Sequence, residues 1–371
     1  MKWRIAQVAP LYESVPPKLY GGTERIVSYL TDALVDMGHE VTLFASGDSV
    51  TKAQLVPIHH GALRLGHCKD PLAMHVLQLQ EVIEQAATFD IIHFHTDYHH
   101  FPVSRLMNLN TVTTLHGRLD IPELKHVYSR FPDIPVVSIS QAQRDPLPMA
   151  RWAGTVHHGL PLNLYRPGEG KGGYVLFIGR ISPEKRPDRA IEIARRAGIN
   201  IKIAAKVDDA DKAYYEEQIR PLMQQPHVDF IGEVGEKEKN TLLGNASALL
   251  FPIDWPEPFG MVMIEALACG TPVIAYGHGS VPEVLEHGKT GYIVHSLDEA
   301  VDALQHIGRI SRDTCRRVFE TRFTSLRMAQ DYAAIYEQLI RLHNQPYVSL
   351  PAQTTGHRVL PLQPAPEQAV V

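Results

Sequence analysis

Residues 257–274 read Glu257-Pro-Phe-Gly-Met-Val-Met-Ile-Glu265-Ala-Leu-Ala-Cys-Gly-Thr-Pro-Val-Ile274. A Pro-rich turn leads into a helix opened by Phe259 and Gly260, and an apolar strand run follows at 272–275. Two carboxylates stand eight positions apart, Glu257 in the turn and Glu265 two turns along the helix. The helix start offers free backbone N–H groups and the positive end of the helix dipole beside Glu257. Such donors suit a phosphate, and paired carboxylates suit sugar or ribose hydroxyls. The combination describes a nucleotide-sugar site. The competing reading is an amphipathic helix carrying two solvated acids, because charged residues mostly stay exposed.

Outward from this stretch, short β-rich apolar runs alternate with helix-period segments, the pattern of parallel strands joined by crossover helices. In the first half the runs are 4–9, 40–45, 90–94, 111–115 and 136–139. Between the first two, Ile26, Val27, Leu30 and Leu34 recur at helical spacing over 23–37, closed by Gly38. A Pro/Gly-rich stretch at 161–173 reads as a linker. Runs at 174–178, 201–205, 228–231, 248–252 and 272–275 then begin a second series, which ends in a long helical pattern at 322–342. The expected architecture is α/β: two Rossmann-like domains, 1–160 and 174–321, facing a central cleft, with a terminal helix at 322–344. Ligands in such sheets bind at the carboxyl ends of the strands. Residues 345–371 lose periodicity, turn Pro/Gln-rich and read as disordered.

The chain has 371 residues, ample for two domains, and its 44% hydrophobic and 21% charged residues are those of an ordinary globular protein. A net charge of −5 argues against nucleic-acid binding, which needs basic stripes. No apolar run approaches the roughly 20 residues that span a bilayer. The helical segment 71–87 contains Glu81 and Glu84 without Lys or Arg, so it lacks the signature for anionic lipid. Three scattered cysteines form neither a disulfide framework nor a metal clip, which points to a reducing cytoplasm.

Residues 177–187 read Phe177-Ile-Gly-Arg180-Ile-Ser-Pro-Glu-Lys185-Arg186-Pro187, between a strand and a helix over 188–196. Arg180, Lys185 and Arg186 would gather at that helix start, where cationic side chains can hold a diphosphate without a metal. A solvated basic turn is the alternative. Gly21 and Gly22 open the first helix after a loop at 12–20 and permit close backbone approach to a ligand. The Gly-x-Gly-x-x-Gly dinucleotide fingerprint is absent from the chain. Among 20 histidines, His93, His95, His99 and His100 with Asp97 could be read as a metal cluster, or as incidental. His116, at the end of the 111–115 run, points into the cleft, and His157 and His158 mark the end of the first domain.

With these residues in place, the chain resembles the retaining glycosyltransferases of family 4, which have the GT-B fold, over about residues 3–342. The resemblance rests on Gly21-Gly22, His116-Gly117, Gly179-Arg180 with Lys185, Glu257 to Glu265, and Gly279-Ser-Val-Pro-Glu283 with Gly288-Lys-Thr-Gly291. It implies that Arg180 and Lys185 neutralise a donor diphosphate, Glu257 contacts the transferred sugar and Glu265 the ribose. Phe259, Gly260 and Met261 would offer backbone N–H groups, and Gly22 would approach the phosphates. His116 would lie beside the donor sugar, and Glu233 and Val234 would hold the base. The terminal helix would cross back to the first domain. Where many relatives have Asn-Gly before the linker, this chain has His158-Gly159, and Arg186 stands where Gly is frequent.

The expected activity is retaining, metal-independent, cofactor-free transfer of a sugar from a nucleoside-diphosphate donor, UDP-sugar favoured, to a hydroxyl acceptor. The acceptor could be a saccharide, a small molecule or a lipid-linked sugar, with no stable membrane insertion. A sugar phosphorylase, a nucleotide-sugar epimerase and a non-catalytic sugar-nucleotide-binding protein are the other readings. An epimerase needs acid/base carboxylates around the sugar carbon, and the intact Arg180, Lys185, Glu257, Glu265 set argues against a mere binder.

Overall fold

The computed structural model describes residues 1–18 and 21–345. The Pro/Gln-rich tail beyond 345 and the end of the loop at 12–20 lie outside the described residues. Seven strands build the first sheet: β1 (Arg4–Val8), β2 (Glu40–Ala45), β3 (Gln54–Pro57), β4 (Ile91–Phe94), β5 (Thr111–Thr114), β6 (Pro135–Ser138) and β7 (Arg151–Thr155). Their order is β3-β2-β1-β4-β5-β6-β7, all parallel. The second sheet contains β8 (Tyr174–Arg180), β9 (Asn200–Lys206), β10 (Val228–Gly232), β11 (Leu249–Phe251), β12 (Val273–Tyr276) and β13 (Gly291–Val294). Its order, β10-β9-β8-β11-β12-β13, is also wholly parallel. Strand order reverses between β1 and β4 and between β8 and β11, and crevices for ligands open at such points.

Parallel strands are covered on both faces, which is why their sequences read as continuous apolar runs. Alternate residues of β8 serve different cores. Val175 and Phe177 pack with Ile191 and Ile203, while Leu176 packs with Leu249, Met263 and Phe319. Three strands escaped the sequence pattern: β3, β7 and β13. Each is an edge strand with one neighbour; β3 and β7 are partly buried or exposed throughout, and β13 is a four-residue strand that opens on a glycine.

The helical run expected at 322–342 is present and starts three residues later, at Ser325. Arg312–Arg322 ends on the second domain, and Ser325–His343 begins after a break at Phe323 and Thr324. The break exists because the chain turns extended at Thr324 to pair with Leu160, where the chain leaves the first domain. Leu160 donates its N–H to Phe323 O (2.9 Å) and accepts from Ser325 N (2.8 Å). Thr324 then caps the new helix through its hydroxyl, 3.2 Å from Arg327 N. The Arg327 guanidinium binds the carbonyls of His157 (2.6 Å) and His158 (3.2 Å). Phe323 belongs to the second-domain core, whereas Met328, Tyr332, Tyr336 and Leu339 pack on Ile5, Ile26 and Leu30 of the first. The last helix therefore crosses between domains.

Residues 161–173 lie along the second domain. Gly168, Gly170 and Gly172 donate to the carbonyls of Cys269, Gly244 and Asn245 at 3.0, 3.0 and 2.8 Å. The Arg312 side chain reinforces this edge through Gly168 O, Gly244 O, Ala246 O and Thr271 Oγ1.

The pairing of the two crossing passages requires Gly159, because a Cβ there would lie 2.2 Å from Thr324 O. Gly159→Ala is expected to lower the melting temperature by several degrees, a destabilisation of about 1–3 kcal/mol. Gly308→Ala, with nothing within 4 Å of its Cβ position, is the control. Equal melting of the two variants would show that the close contact does not hold the domains.

Candidate active site

Lys185 follows β8 in the loop before the helix Pro187–Ala197. Its ammonium pairs with the Glu257 carboxylate, which also accepts from Trp255 Nε1 at 2.9 Å. The ammonium stands 4.9 Å over the Trp255 ring and 5.7 Å over Phe251, so indole and phenyl faces shield the pair. Arg180, at the end of β8, pairs with Glu184 and stands 3.4 Å from Asp211. Arg186 does not add a free charge to this group. Its guanidinium is taken up by Asp188 (2.9 Å) and Asp254 (2.8 Å), which raise its pKa.

The seat of Glu257 is built by a stretch twenty residues later. Gly279 adopts φ 57°, and a Cβ there would lie 2.4 Å from both Glu257 N and O. Ser280 follows, donating its N–H to Glu257 O (3.0 Å) and its hydroxyl to Phe259 O (2.8 Å). Gly260 caps the helix Met261–Ala268, so Phe259 and Gly260 precede the helix that they were expected to open. Met261 packs against the cores of both domains and faces Gly22, whose Cβ position lies 3.6 Å from Met261 Cε. Two helix N-termini, one from each domain, therefore meet across the cleft.

Glu265, buried at 3% exposure, is held by Lys239 at 2.9 Å. Lys239 also reaches Glu236 (3.2 Å), which accepts from Tyr165 Oη (2.6 Å) and pairs with Arg25 of the first domain (3.1 Å). Burial opposes the charge on Lys239, but Glu265 and Glu236 outweigh it and hold the ammonium above its ordinary pKa. Burial beside Glu236 pushes the Tyr29 phenol up to about 12. Glu233 and Val234 occupy the turn between β10 and the helix Glu236–Asn245, Glu233 exposed and Val234 half-buried.

His116 lies just beyond β5, its ring stacked on His158 with centroids 5.4 Å apart. His158 meets the edge of Phe259 at 4.8 Å, which brings His116 to the domain boundary. His116 Nε2 is 2.9 Å from His95 Nδ1. His93 is bonded to Tyr336 Oη (2.7 Å) and Thr114 Oγ1 (2.8 Å), and His100 to Ser104 and Thr113. Among the described residues no group of three His, Cys, Asp or Glu side chains is arranged to hold a metal ion. Burial pulls His100 and His116 down to about 3 and holds His93, His95 and His158 well below the ordinary value.

Residues 20–153 match the family model described as Glycosyltransferase Family 4, and residues 167–318 match Glycosyl transferases group 1. The chain belongs to this glycosyltransferase family. It is 31% identical over 172 residues to the D-inositol 3-phosphate glycosyltransferase of Mycobacterium tuberculosis, a match covering 42% of this chain and 36% of that protein. The chain thus matches about a third of the length of its curated relatives. Among solved structures, AviGT4, a glycosyltransferase involved in avilamycin A biosynthesis, superposes with TM-score 0.70 at 24% identity, covering 91% of this chain and 98% of that one. Sucrose-phosphate synthase from Thermosynechococcus elongatus gives TM-score 0.75 at 18% identity over 92% and 100% of the two chains. Anabaena HepE in complex with UDP-glucose gives 0.68 at 19% over 91% and 100%. These likenesses establish the GT-B fold, as the resemblance implied. Among the described residues no helix is long and apolar enough to cross a membrane.

Sequence reasoning missed Lys239, Glu236, Arg25 and Tyr165. The segment Glu236–Asn245 reads as a solvated charged helix, and only the packed structure brings Lys239 to Glu265.

Lys239→Met strands a buried carboxylate, and a loss of about 3–5 kcal/mol of stability is expected in denaturant titration. Lys239→Met with Glu265→Gln should recover most of that loss, and strictly additive losses would deny the coupling. The histidines set the acid limit. An unfolded imidazole is protonated near pH 6.5, while buried His100 and His116 resist until about 3. Their contribution is therefore complete above about pH 6.5 and is lost as pH falls toward 3, at about 1.4 kcal/mol per pH unit for each. Unfolding free energy that stayed flat between pH 6.5 and 4.5 would contradict the buried neutral state.

Proposed function

We propose that the protein transfers a sugar from a nucleoside-diphosphate sugar, UDP-sugar by preference, to a hydroxyl acceptor with retention and without a metal ion. The observation that carries this reading is the helix Met261–Ala268, with Lys185 holding Glu257 in the turn before it and Lys239 holding Glu265 within it. Its N-terminus lies between them, facing Gly22. Glu257 takes hydroxyls of the transferred sugar and Glu265 those of the ribose. Backbone N–H groups at Phe259, Gly260 and Met261 meet phosphate or sugar oxygens. Glu233 and Val234 border the base.

As the C1–O bond to the diphosphate breaks, negative charge gathers on the β-phosphate. Lys185 and Arg180 stabilise that charge most in the transition state, where it is greatest. The acceptor oxygen bonds to C1 on the face that the phosphate leaves, and the acceptor proton passes to the departing phosphate oxygen. Glu257 serves as a hydroxyl ligand and not as the nucleophile used by retaining glycosidases. HepE was crystallised with UDP-glucose, which makes UDP the first nucleotide to try. The free Cys68, Cys269 and Cys315 support a cytoplasmic setting.

Thermal shift with UDP, GDP and ADP, without added metal, tests donor choice. At one hundred times its Kd the preferred nucleotide should stabilise the protein by about 2.7 kcal/mol. Lys185→Ala is expected to lose that response and to lower kcat/KM for transfer by roughly 10²–10³-fold. Proton NMR of the product should show the anomeric configuration of the donor. An inverted product, activity that requires a divalent cation, or release of an altered sugar nucleotide without acceptor would overturn the reading.

A further inference from the structure

A chain of buried hydrogen bonds runs from the crossing helix to His116. Tyr336 Oη, on that helix, accepts from Gln7 Nε2 at 3.1 Å. Gln7 Oε1 lies 2.8 Å from His95 Nε2, and His95 Nδ1 lies 2.9 Å from His116 Nε2. Gln7 and His93 are fully buried neighbours on β1 and β4, and His95 is 3% exposed. Tyr336 is held in turn by His93, which leads through Thr114 Oγ1 to Tyr332 Oη at 2.7 Å, back on the same helix.

A neutral imidazole has one N–H donor and one acceptor nitrogen, and an amide oxygen only accepts. With the Gln7 oxygen toward it, His95 carries its proton on Nε2 and can only accept at Nδ1. His116 must then donate from Nε2, which leaves a lone pair on Nδ1. That Nδ1 is buried and has no protein partner among the described residues. The reverse proton order would put an N–H there instead, and a stranded buried donor is rarer and costlier than an idle lone pair. Burial keeps all three histidines neutral, so the order is one of tautomers and not of charge.

We propose that the crossing helix, acting through Tyr336, Gln7 and His95, fixes His116 in its Nε2–H tautomer, so that Nδ1 accepts a hydrogen bond from a hydroxyl of the bound sugar or acceptor. Tyr336, Gln7 and His95 are positioning residues. The inference rests on the reading of His116 as a residue beside the donor sugar. The domain-crossing helix thereby gains a chemical role, because its docked position decides which nitrogen of His116 is available.

Long-range ¹H–¹⁵N correlation of the full-length protein labelled at histidine reads the tautomers at neutral pH, with His116→Asn assigning the signal. Wild type should show His116 protonated on Nε2 and a pyridine-like Nδ1. Gln7→Met and Tyr336→Phe should mix the two tautomers and lower kcat about tenfold, or about 1.4 kcal/mol, with little change in donor KM. His95→Gln, whose amide can bridge Gln7 and His116 with the same polarity, should keep tautomer and turnover, whereas His95→Leu should lose both. Should Gln7→Met fail to fold, Tyr336→Phe removes only a hydroxyl and carries the test. A proton on Nδ1 in wild type, tautomers unmoved in the variants, or tautomers moved at constant kcat would overturn the proposal. Wild type inactive with every nucleotide sugar would remove the functional reading, and the spectra would still accept or reject the relay.

Discussion

The short parallel pairing of Leu160 with Phe323 and Ser325 is the constraint on which the molecule turns. The chain passes from the first domain to the second at 160 and returns at 324, and both passages run side by side. Any relative motion of the two sheets must bend this ribbon, and Gly159 lets it close to backbone contact. Arg327 fastens the returning helix to the carbonyls of His157 and His158. From that point the helix delivers Tyr332 and Tyr336 beneath the first sheet, close to the strand ends that face the cleft.

The electrostatics of the cleft follow one pattern. Glu257, in the turn before the second-domain helix, and Glu265, within it, each have their own lysine, and each pair is mostly screened from water. Removing charges from water is unfavourable unless they are matched, and each lysine supplies that match. The first domain contributes in a different way. Around His116 its groups are neutral imidazoles, an amide and phenols, linked by short hydrogen bonds, with Arg25–Glu236 as an ionic link between the domains. The buried acids Glu13 and Glu24 lie beside Gly21 and Gly22.

The central strands were legible because parallel strands buried on both faces are mostly apolar, as at β11 and β12. The edge strands β3, β7 and β13 were not, because β3 (Gln-Leu-Val-Pro) and β13 (Gly-Tyr-Ile-Val) are only four residues long and β7 contains Arg151 and Gly154. The edge strand β10, by contrast, keeps Val228, Phe230 and Ile231. The terminal helix was legible from its periodicity, but the sequence pattern starts it three residues early, because pairing with Leu160 sets the break at Phe323 and Thr324. Within the site, Lys185, Glu257 and Glu265 stood out by local spacing in turns and helix starts.

The sequence by itself determined the alternation of strand and helix, the two-domain GT-B architecture, and the second-domain stretches that carry Arg180, Lys185, Glu257 and Glu265. These features are local, set by burial periodicity and by motifs a few residues long. Tertiary structure alone decided which lysine meets Glu265, that Arg186 is held by Asp188 and Asp254, and that His93 and His95 are bonded to Gln7, Tyr336, Thr114 and His116. Apart from Asp188, two residues from Arg186, those partners lie tens to hundreds of residues apart. A hydrogen bond or ion pair acts over about 3 Å of space, and no sequence spacing encodes such a distance between strands of different order.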